Sequence, residues 1–308
     1  MSDSPYHAGE REVQLKSGVR ERAEQLGRKF IRDFMPDQHR EFFAELPWLL
    51  LGGLDDAAQP WASVLTGLPG FVHAPDPYTL EVRAQLPAAD PLHVALAPGR
   101  PLGLLGIQPE TRRRNRLNGR VVAASERGFT LHVDQSFGNC PKYITQRSPK
   151  LAADRSAAAP QVEGPVLSAP AIARIEASDT CFIASASRAA SSAYDTREGA
   201  DVSHRGGPRG FVRVEQHANR TELYMPDYAG NNAFNTLGNI ASYPRAGLLF
   251  PEFDSGDVLM VGCDAEILWD PQLIARFPGA QRVVRFAARS GWTFPGRLPF
   301  QWQSVHGP

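Results

Sequence analysis

The chain has 308 residues, of which 42% are hydrophobic and 21% are charged, and its 33 basic residues balance 33 acidic ones. A neutral chain of this composition has no overall field that would attract nucleic acid or an anionic membrane. Its length predicts two domains at roughly 150 residues per domain. The first residues lack the apolar segment of a secretory signal, and no apolar run approaches the ~18 residues of a membrane span. We therefore expect a cytoplasmic protein.

The N-terminal segment 1–45 is predicted to be helical. Apolar residues recur every three or four positions, which predicts an amphipathic helix from about Gly18 to Met35. The residues of this apolar stripe are Val19, Ala23, Leu26, Phe30 and Phe34. Pro36 is expected to end the helix, with a short helical turn following from Asp37 to Leu46. Polar residues before this helix could form a lid over a site; they are His7, Glu10 and Gln14.

From residue 46 onward the chain consists of short apolar runs bounded by Gly, Pro, Asp and Asn, a pattern typical of strands joined by turns. Four segments of the first half have similar counterparts in the second half, in the same order. The pairs are 47–52 with 180–185, 62–72 with 202–212, 78–82 with 221–225, and 101–106 with 245–250.

This order predicts two copies of one all-β unit, at 46–147 and 171–308, joined by an Ala/Pro/Ser-rich linker at 148–170. A short helix capped by Ser168 is expected to lead into the second copy. Each copy has an apolar face that it cannot bury alone, so we expect the two to pack as a pseudo-dimer within one chain.

Polar residues replace apolar ones on one strand of the second copy. Where the first copy has Ser63-Val-Leu-Thr, the second has Ser203-His-Arg-Gly. Arg205, followed by two glycines, could present its guanidinium beside open backbone N–H groups, which is a combination that suits a phosphate. The alternative is that Arg205 pairs with a carboxylate such as Asp201 at the end of the strand.

An amide cluster lies where a strand is predicted to lead into a helix of the second copy. It consists of Asn231, Asn232, Asn235 and Thr236. At a helix N-terminus, such side chains could bind an anion together with the backbone N–H groups and the helix dipole. The alternative is an ordinary helix cap with surface amides.

The end of the first copy contains Asn139 and Lys142, and the chain has only four lysines. A cation here could stabilise negative charge on a bound ring, whereas Cys140, which precedes a proline, is more typical of a packed turn residue. The nearby run Thr111-Arg-Arg-Arg-Asn-Arg is typical of a solvated face. One or two of its arginines could still reach a phosphate on the other copy.

The common motifs for nucleotide binding, serine hydrolysis and zinc hydrolysis are absent from the sequence, and no catalytic residue is assigned. Three cysteines make neither a disulfide framework nor a zinc knuckle. Cys181 and Cys263 lie in apolar strand sequence and are expected in the core. No metal site is predicted.

Several segments together resemble the pyridoxamine 5′-phosphate oxidase-related FMN-binding proteins. They are 179–187, 201–207, 230–240 and 244–250, while 110–116 and 138–144 resemble motifs of a bacterial subgroup in which the barrel is duplicated. The likeness extends from about His7 to Trp302. It implies a mainly β (α+β) fold of two tandem antiparallel split β-barrels that form an intrachain pseudo-dimer, with FMN bound at their junction.

The resemblance and the asymmetry between the copies predict one FMN per chain, held mainly by the second copy. The predicted cofactor-binding residues are Ser187, Ser203, His204, Arg205, Asn231, Asn232, Asn235, Thr236, Asn139 and Lys142. Oxidases of the family place a lysine at the helix start, where this chain has Asn235 and Thr236. Vitamin B6 oxidation is therefore not predicted.

We expect an FMN-dependent oxidoreductase that acts on a small molecule. Some relatives continue into a ferredoxin-reductase module, but this sequence has no cysteine cluster, so a separate electron donor such as NAD(P)H or a reductase is expected. The chain could also form a homodimer. The alternative is a non-catalytic flavin- or haem-binding protein, in which His204 or His306 would ligate iron.

Overall fold

A computed structural model describes residues 4–152, 158–191 and 195–305. The helices are Ala8–Lys16 (α1), Arg20–Phe30 (α2), Asp37–Glu45 (α3), Ala169–Ala177 (α4), Asn235–Ser242 (α5) and Pro271–Ile274 (α6). The strands are Trp48–Leu54 (β1), Pro60–Thr66 (β2), Val72–Asp76 (β3), Thr79–Val82 (β4), Pro101–Gln108 (β5), Arg113–Ser125 (β6), Gly128–Gly138 (β7), Arg147–Leu151 (β8), Gln161–Glu163 (β9), Thr180–Ala186 (β10), Ala200–Gly206 (β11), Arg213–Gln216 (β12), Thr221–Tyr228 (β13), Arg245–Pro251 (β14), Val258–Leu268 (β15), Ala280–Phe294 (β16) and Phe300–Ser304 (β17).

The two large sheets have the same topology. The first has the strand order β2-β1-β5-β6-β7-β4-β3, and the second has the order β11-β10-β14-β15-β16-β13-β12. Adding nine to each strand number of the first sheet gives the second, and the neighbouring strands in both are antiparallel. The predicted mainly β fold of two tandem split barrels is confirmed.

The two barrels pack through equivalent strands. Strand β11 of the second barrel lies against β1 and β5 of the first, and β2 of the first lies against β10 and β14 of the second. The barrels approach closely at equivalent glycines: a Cβ on Gly103 would lie 2.5 Å from the Asp201 Cα, and one on Gly247 would lie 2.6 Å from the Trp61 Cα. Glycine is required at both places because no side chain fits between the strands.

One sequence match was wrong by one residue. The matched segments paired Trp48 with Cys181, but strand pairing makes Trp48 equivalent to Thr180, since Leu51 and Ile183 face the equivalent serines Ser63 and Ser203. Every residue of β1 and β10 is buried. A strand buried on both faces has no alternation of polar and apolar residues that would fix its register.

The N-terminal helices differ from the sequence prediction. The helix predicted from Gly18 to Met35 is α2, which ends at Phe30 because Arg32 pairs its backbone with Ser136 of β7. The predicted turn from Asp37 to Leu46 is α3. Helix α1 precedes both and was predicted only as part of a helical segment. None of the helices in the described ranges is long and apolar enough to cross a membrane.

The segment between the barrels is not wholly irregular. Strand β8 begins at the start of this segment and pairs with β17. Strand β9 lies within the segment and pairs with β16. Helix α4 follows as predicted, and its N-cap Ser168 accepts a hydrogen bond from the Ala171 N–H at 3.3 Å. Predicted core residues Cys181 and Cys263 are fully buried.

Candidate functional site

A cleft of about 880 Å³, including its open mouth, lies between the two barrels. The first barrel contributes β5, β6 and the turn after β7, while the second contributes β11, the end of β13 and the start of α5. The cleft is therefore built by both copies of the repeat.

The positively charged side chains that line the cleft outnumber the carboxylates that pair with them. Arg116 of β6 pairs with the Asp201 carboxylate at 2.7 Å, and Asp227 pairs with Arg282 at 3.0 Å. Within the described ranges, no carboxylate lies within ion-pair distance of three other lining cations, which are Arg114, Arg205 and Lys142. Three unbalanced positive charges converging on one cleft favour an anionic ligand.

The sequence left open that Arg205 forms an ion pair with Asp201, and this alternative is wrong. Asp201 accepts hydrogen bonds from Arg116 and from the Ser185 hydroxyl at 2.8 Å instead. Among the residues that the structure describes, the Arg205 guanidinium donates only to the carbonyl of its neighbour His204, at 3.2 Å. Most of its five N–H donors therefore remain for another acceptor.

Arg114 reaches across from the first barrel to the strand that carries Arg205. It donates to the Cys140 carbonyl at 2.8 Å and to Nδ1 of His204 at 3.0 Å. The pKa of Arg114 is lowered to about 10, first by burial and then by the positive charges of Arg205 and Arg116. A bound anion would relieve this repulsion.

Two hydroxyls join the strand to the helix start. Thr236 donates to the Ser203 hydroxyl at 2.9 Å, and Ser203 also accepts a hydrogen bond from Arg116. The Thr236 proton is thereby used, whereas Ser203 has accepted two bonds and keeps its own proton. Ser203 can donate that proton to an anion in the cleft.

Helix α5 begins where the amide cluster predicted a helix start. Its N-cap is Phe234, with φ of 63°, and no side chain in the described part of the chain caps the helix. The alternative was an ordinary helix cap with surface amides. Asn231 is exposed, but its side chain accepts from the Ala233 N–H at 3.1 Å, just before the helix, and does not cap α5. The first N–H groups of α5 lie beside the cleft without a side-chain cap, as in anion-binding helices.

His204 is neutral and its ring is fixed on two sides. Burial, followed by the charges of Arg114 and Arg205, holds the pKa of His204 well below its usual value. Because Arg114 can only donate, Nδ1 of His204 is the acceptor and the proton is on Nε2. The ring also meets Phe182 edge-on, with centroids 5.6 Å apart. His306, the other predicted iron ligand, is outside the described residues.

The mouth of the cleft contains Lys142 and an aromatic pair. Lys142 is exposed, and the rings of Tyr143 and Tyr228 lie 5.2 Å apart and inclined by 32°. Asn139 belongs to the same turn, and its backbone N–H donates to the Arg114 carbonyl at 3.0 Å. The turn that carries Lys142 is thereby tied to β6.

The structure brings together every predicted cofactor-binding residue except Ser187. Ser187 is buried elsewhere, where its hydroxyl accepts from the Gly199 N–H at 3.1 Å. Sequence reasoning assigned no specific role to Arg114 or Arg116, although it allowed arginines of this run to reach the other copy. It missed Asp227 and Tyr228, which lie two and three residues beyond a matched strand segment.

Comparisons with known proteins show similarity at the level of solved structures. No family model and no curated protein matches the chain. A protein of the pyridoxinephosphate oxidase family related to general stress protein 26, from Clostridium acetobutylicum, is 11% identical with a TM-score of 0.26, over 43% of this chain and 90% of that one. An FMN-binding protein from Syntrophomonas wolfei is 11% identical with a TM-score of 0.28, over 39% and 84%.

The haem storage protein HutZ from Vibrio cholerae is 10% identical with a TM-score of 0.27, over 41% of this chain and 94% of that one. Each of these matches covers an extent of about one barrel. At these identities and TM-scores, what the chain binds must be argued from its own residues. The solved structures to which the chain is similar thus include pyridoxamine 5′-phosphate oxidase-like, flavin-binding and haem-binding proteins.

Proposed function

We propose that the chain is an FMN-dependent oxidoreductase that acts on a small molecule, with FMN in the cleft between the barrels. The observation that carries this proposal is the convergence of Arg114 and Arg205, neither of which has an anionic partner among the described residues, beside the uncapped start of α5. A phosphate group supplies the charge that these donors lack.

The donor set fits a phosphate monoester. Guanidinium groups bind phosphate oxygens through paired N–H donors, and Arg205 has most of its donors free. The Ser203 hydroxyl and the first N–H groups of α5 add neutral donors on the same side. Arg116 is already paired with Asp201, so its role is to hold Ser203 and the strand in place.

The rest of the cleft is suited to a planar ring that extends from the phosphate site. We infer that the ring faces the first barrel, where Asn139, Lys142 and Tyr143 line the cleft. The flavin itself supplies the hydride or electron transfer when it is bound. The side chains of this chain bind it, orient it and set the charge around it.

The haem alternative has less support from the site. Iron ligation by His204 would use a ring nitrogen, but Nδ1 accepts from Arg114 and the ring is buried against Phe182. The surrounding arginines favour an anion rather than a metal ion. A Soret band on adding haem, lost in His204→Ala, would favour the haem function over the flavin function.

The test is titration of the purified protein with FMN, followed by absorbance and fluorescence. We expect saturable binding that Arg205→Ala weakens by about 1.5–3 kcal/mol, or roughly 10- to 150-fold. Arg209→Ala is the matched control, because Arg209 is an exposed arginine just after the same strand, and it should bind like the wild type. Absence of FMN binding, or equal affinity in both variants, would overturn the proposal.

A further inference from the structure

The start of α5 is held by a helix more than 200 residues away in sequence. Helix α1 crosses α5 at a pair of glycines, Gly9 and Gly238, where the backbones touch. A Cβ on Gly238 would lie 2.5 Å from the Glu10 Cα, and one on Gly9 would collide with the Gly238 carbonyl. The two helices therefore cannot separate or slide without opening a buried contact.

Side chains of α1 extend this contact to the residues that begin α5. The Gln14 amide donates to the Ala233 carbonyl at 3.0 Å, and the Asn235 amide donates to Oε1 of Glu10. The second Glu10 oxygen accepts from the His7 N–H at 2.9 Å, so both carboxyl oxygens have partners. Glu10 and Gln14 thus fix the chain on either side of Phe234.

The segment that these contacts hold is conformationally costly. Asn232 and Phe234 both have φ near 60°, in the left-handed region. A non-glycine residue there costs about 1–3 kcal/mol and persists only where the surroundings impose it. Contacts from α1 supply such surroundings, and they hold the first residues of α5 at the lining of the cleft.

We propose that Glu10 is a positioning residue of the anion site: it holds the start of α5 in its binding arrangement, and its charge sets how phosphate binding there depends on pH. This inference rests on the proposed function for its ligand, FMN. It assigns a role to the N-terminal segment, which the sequence indicated only as a polar lid.

The charge on Glu10 is set by its surroundings. The pKa of Glu10 is raised to about 8, chiefly by burial and also by the charge of Asp201, against the lowering effects of the His7 and Asn235 hydrogen bonds and of Arg116. The titratable and charged groups that face it are Tyr6 and His7 from its own segment, Arg116 from β6 and Asp201 from β11.

Glu10 is therefore mostly neutral at pH 7 and does not oppose an anion at the helix start. Above pH 8 it carries a negative charge beside Asn235, the first residue of α5, where it repels a phosphate and offsets the helix dipole. By linkage, a bound phosphate raises the pKa of Glu10 further. Binding then takes up a proton, and affinity falls as pH rises.

The experiment measures FMN affinity between about pH 7 and 9, where the phosphate is already a dianion. We expect the wild-type affinity to fall above pH 8 by up to about tenfold per pH unit. Glu10→Gln mimics the neutral carboxyl and should bind FMN with a much flatter profile. Glu12→Gln, on the exposed side of the same helix, should keep the wild-type slope. An unchanged slope in Glu10→Gln would overturn the role of its charge.

A second measurement needs no cofactor and separates this inference from the proposed function. In the free protein, Glu10→Ala should speed exchange of the hydrogen-bonded amides of α5, residues 238–242, by about tenfold or more, because the hydrogen bond that holds Asn235 is lost. Glu12→Ala should leave exchange there unchanged. If the wild type fails to bind FMN while this difference appears, the proposed function fails but the positioning role stands. Equal exchange in both variants overturns the positioning role.

Discussion

Arg116 of the first barrel and Asp201 of the second form an ion pair in which Nη1 and Oδ2 are 2.7 Å apart, with 3% and 2% of their side chains exposed. Arg116 also donates to the Val202 carbonyl at 3.2 Å and to the Ser203 hydroxyl. The pair therefore joins the first barrel to β11, the strand that carries Arg205. Its removal should affect both the stability of the fold and the shape of the cleft.

We predict that Arg116→Met lowers the free energy of unfolding by about 3–5 kcal/mol, because it leaves the Asp201 charge buried without a partner. Adding Asp201→Leu to this variant should recover part of the loss, since no charge then remains unpaired. Chemical denaturation measures both. Arg127→Met, in an exposed turn, is the control and should change stability by less than about 0.5 kcal/mol. A loss no larger than the control's would contradict the prediction.

The sequence predicts the duplication because matched strands keep their order through both halves. The details that it does not predict depend on long-range contacts. Arg116 belongs to a run of charged residues that is typical of a solvated face, yet it is buried. Its burial depends on an ion pair with Asp201, which lies 85 residues away in the sequence. No local pattern contains that information.

The N-terminal segment shows the same limit in another way. Residues His7, Glu10 and Gln14 are polar, which suggested an exposed lid, but all three are buried against the second barrel. Helix α1 packs through glycine contacts and hydrogen bonds rather than an apolar stripe, so hydrophobic periodicity could not reveal it. The start of α5 was predictable because it lies in a local cluster of Asn and Thr.

The pseudo-symmetry of the two barrels predicts a second cleft related to the first. Buried side chains fill the position where this second cleft would lie. Strand pairing makes Val258 and Met260 equivalent to Arg114 and Arg116, and both are buried in the core. Near the equivalent of Ser203, which is Ser63, Arg297 pairs with the buried Asp90 at 3.3 Å and donates to the Val64 carbonyl at 3.0 Å. The charges at this second place are paired with each other.

We therefore predict that FMN binds at one site per chain even at saturation. An anion at the second place would have to break the Asp90–Arg297 pair and displace buried apolar side chains, which costs several kcal/mol. Absorbance of the flavin against protein concentration after removal of free FMN measures the ratio. Two flavins per chain would contradict the prediction.

The buried carboxyl of Glu10 gives a pH dependence of stability that needs no ligand. Its pKa is about 8 in the folded chain and about 4.3 when unfolded. Because the pKa is higher in the folded state, the contribution of Glu10 to stability is fully present below the unfolded-state pKa. This contribution is lost as the pH rises from that value towards 8. The wild type should lose up to about 1.4 kcal/mol per pH unit from this group across that interval.

Glu10→Gln removes that titration. We expect its stability relative to the wild type to increase steadily between about pH 4.3 and 8 and then to level off. Denaturation midpoints measured across this range check the trend. Glu12→Gln should differ from the wild type by an almost constant amount. A constant difference for Glu10→Gln as well would show that Glu10 does not titrate with a raised pKa.

Lys142 provides the last prediction, which concerns the chemistry of the proposed flavin. Its turn is tied to β6 through the Asn139 backbone, Pro141 limits the flexibility of the turn, and the ammonium has no carboxylate partner among the described residues. With FMN bound, we expect Lys142 beside the pyrimidine edge, where reduction places negative charge at N1 and O2. A cation there stabilises the anionic reduced form and raises the reduction potential.

Lys142→Met should therefore lower the midpoint potential by roughly 30 mV, which corresponds to ~1.4 kcal/mol for a two-electron couple. The stability of the fold should change little, because the side chain is exposed. Spectroelectrochemical titration of the FMN-loaded protein measures the potential. Lys150→Met, at an exposed position of strand β8, is the control and should keep the wild-type potential. If Lys142→Met binds FMN with an unchanged potential and spectrum, Lys142 is a surface lysine with no role at the flavin.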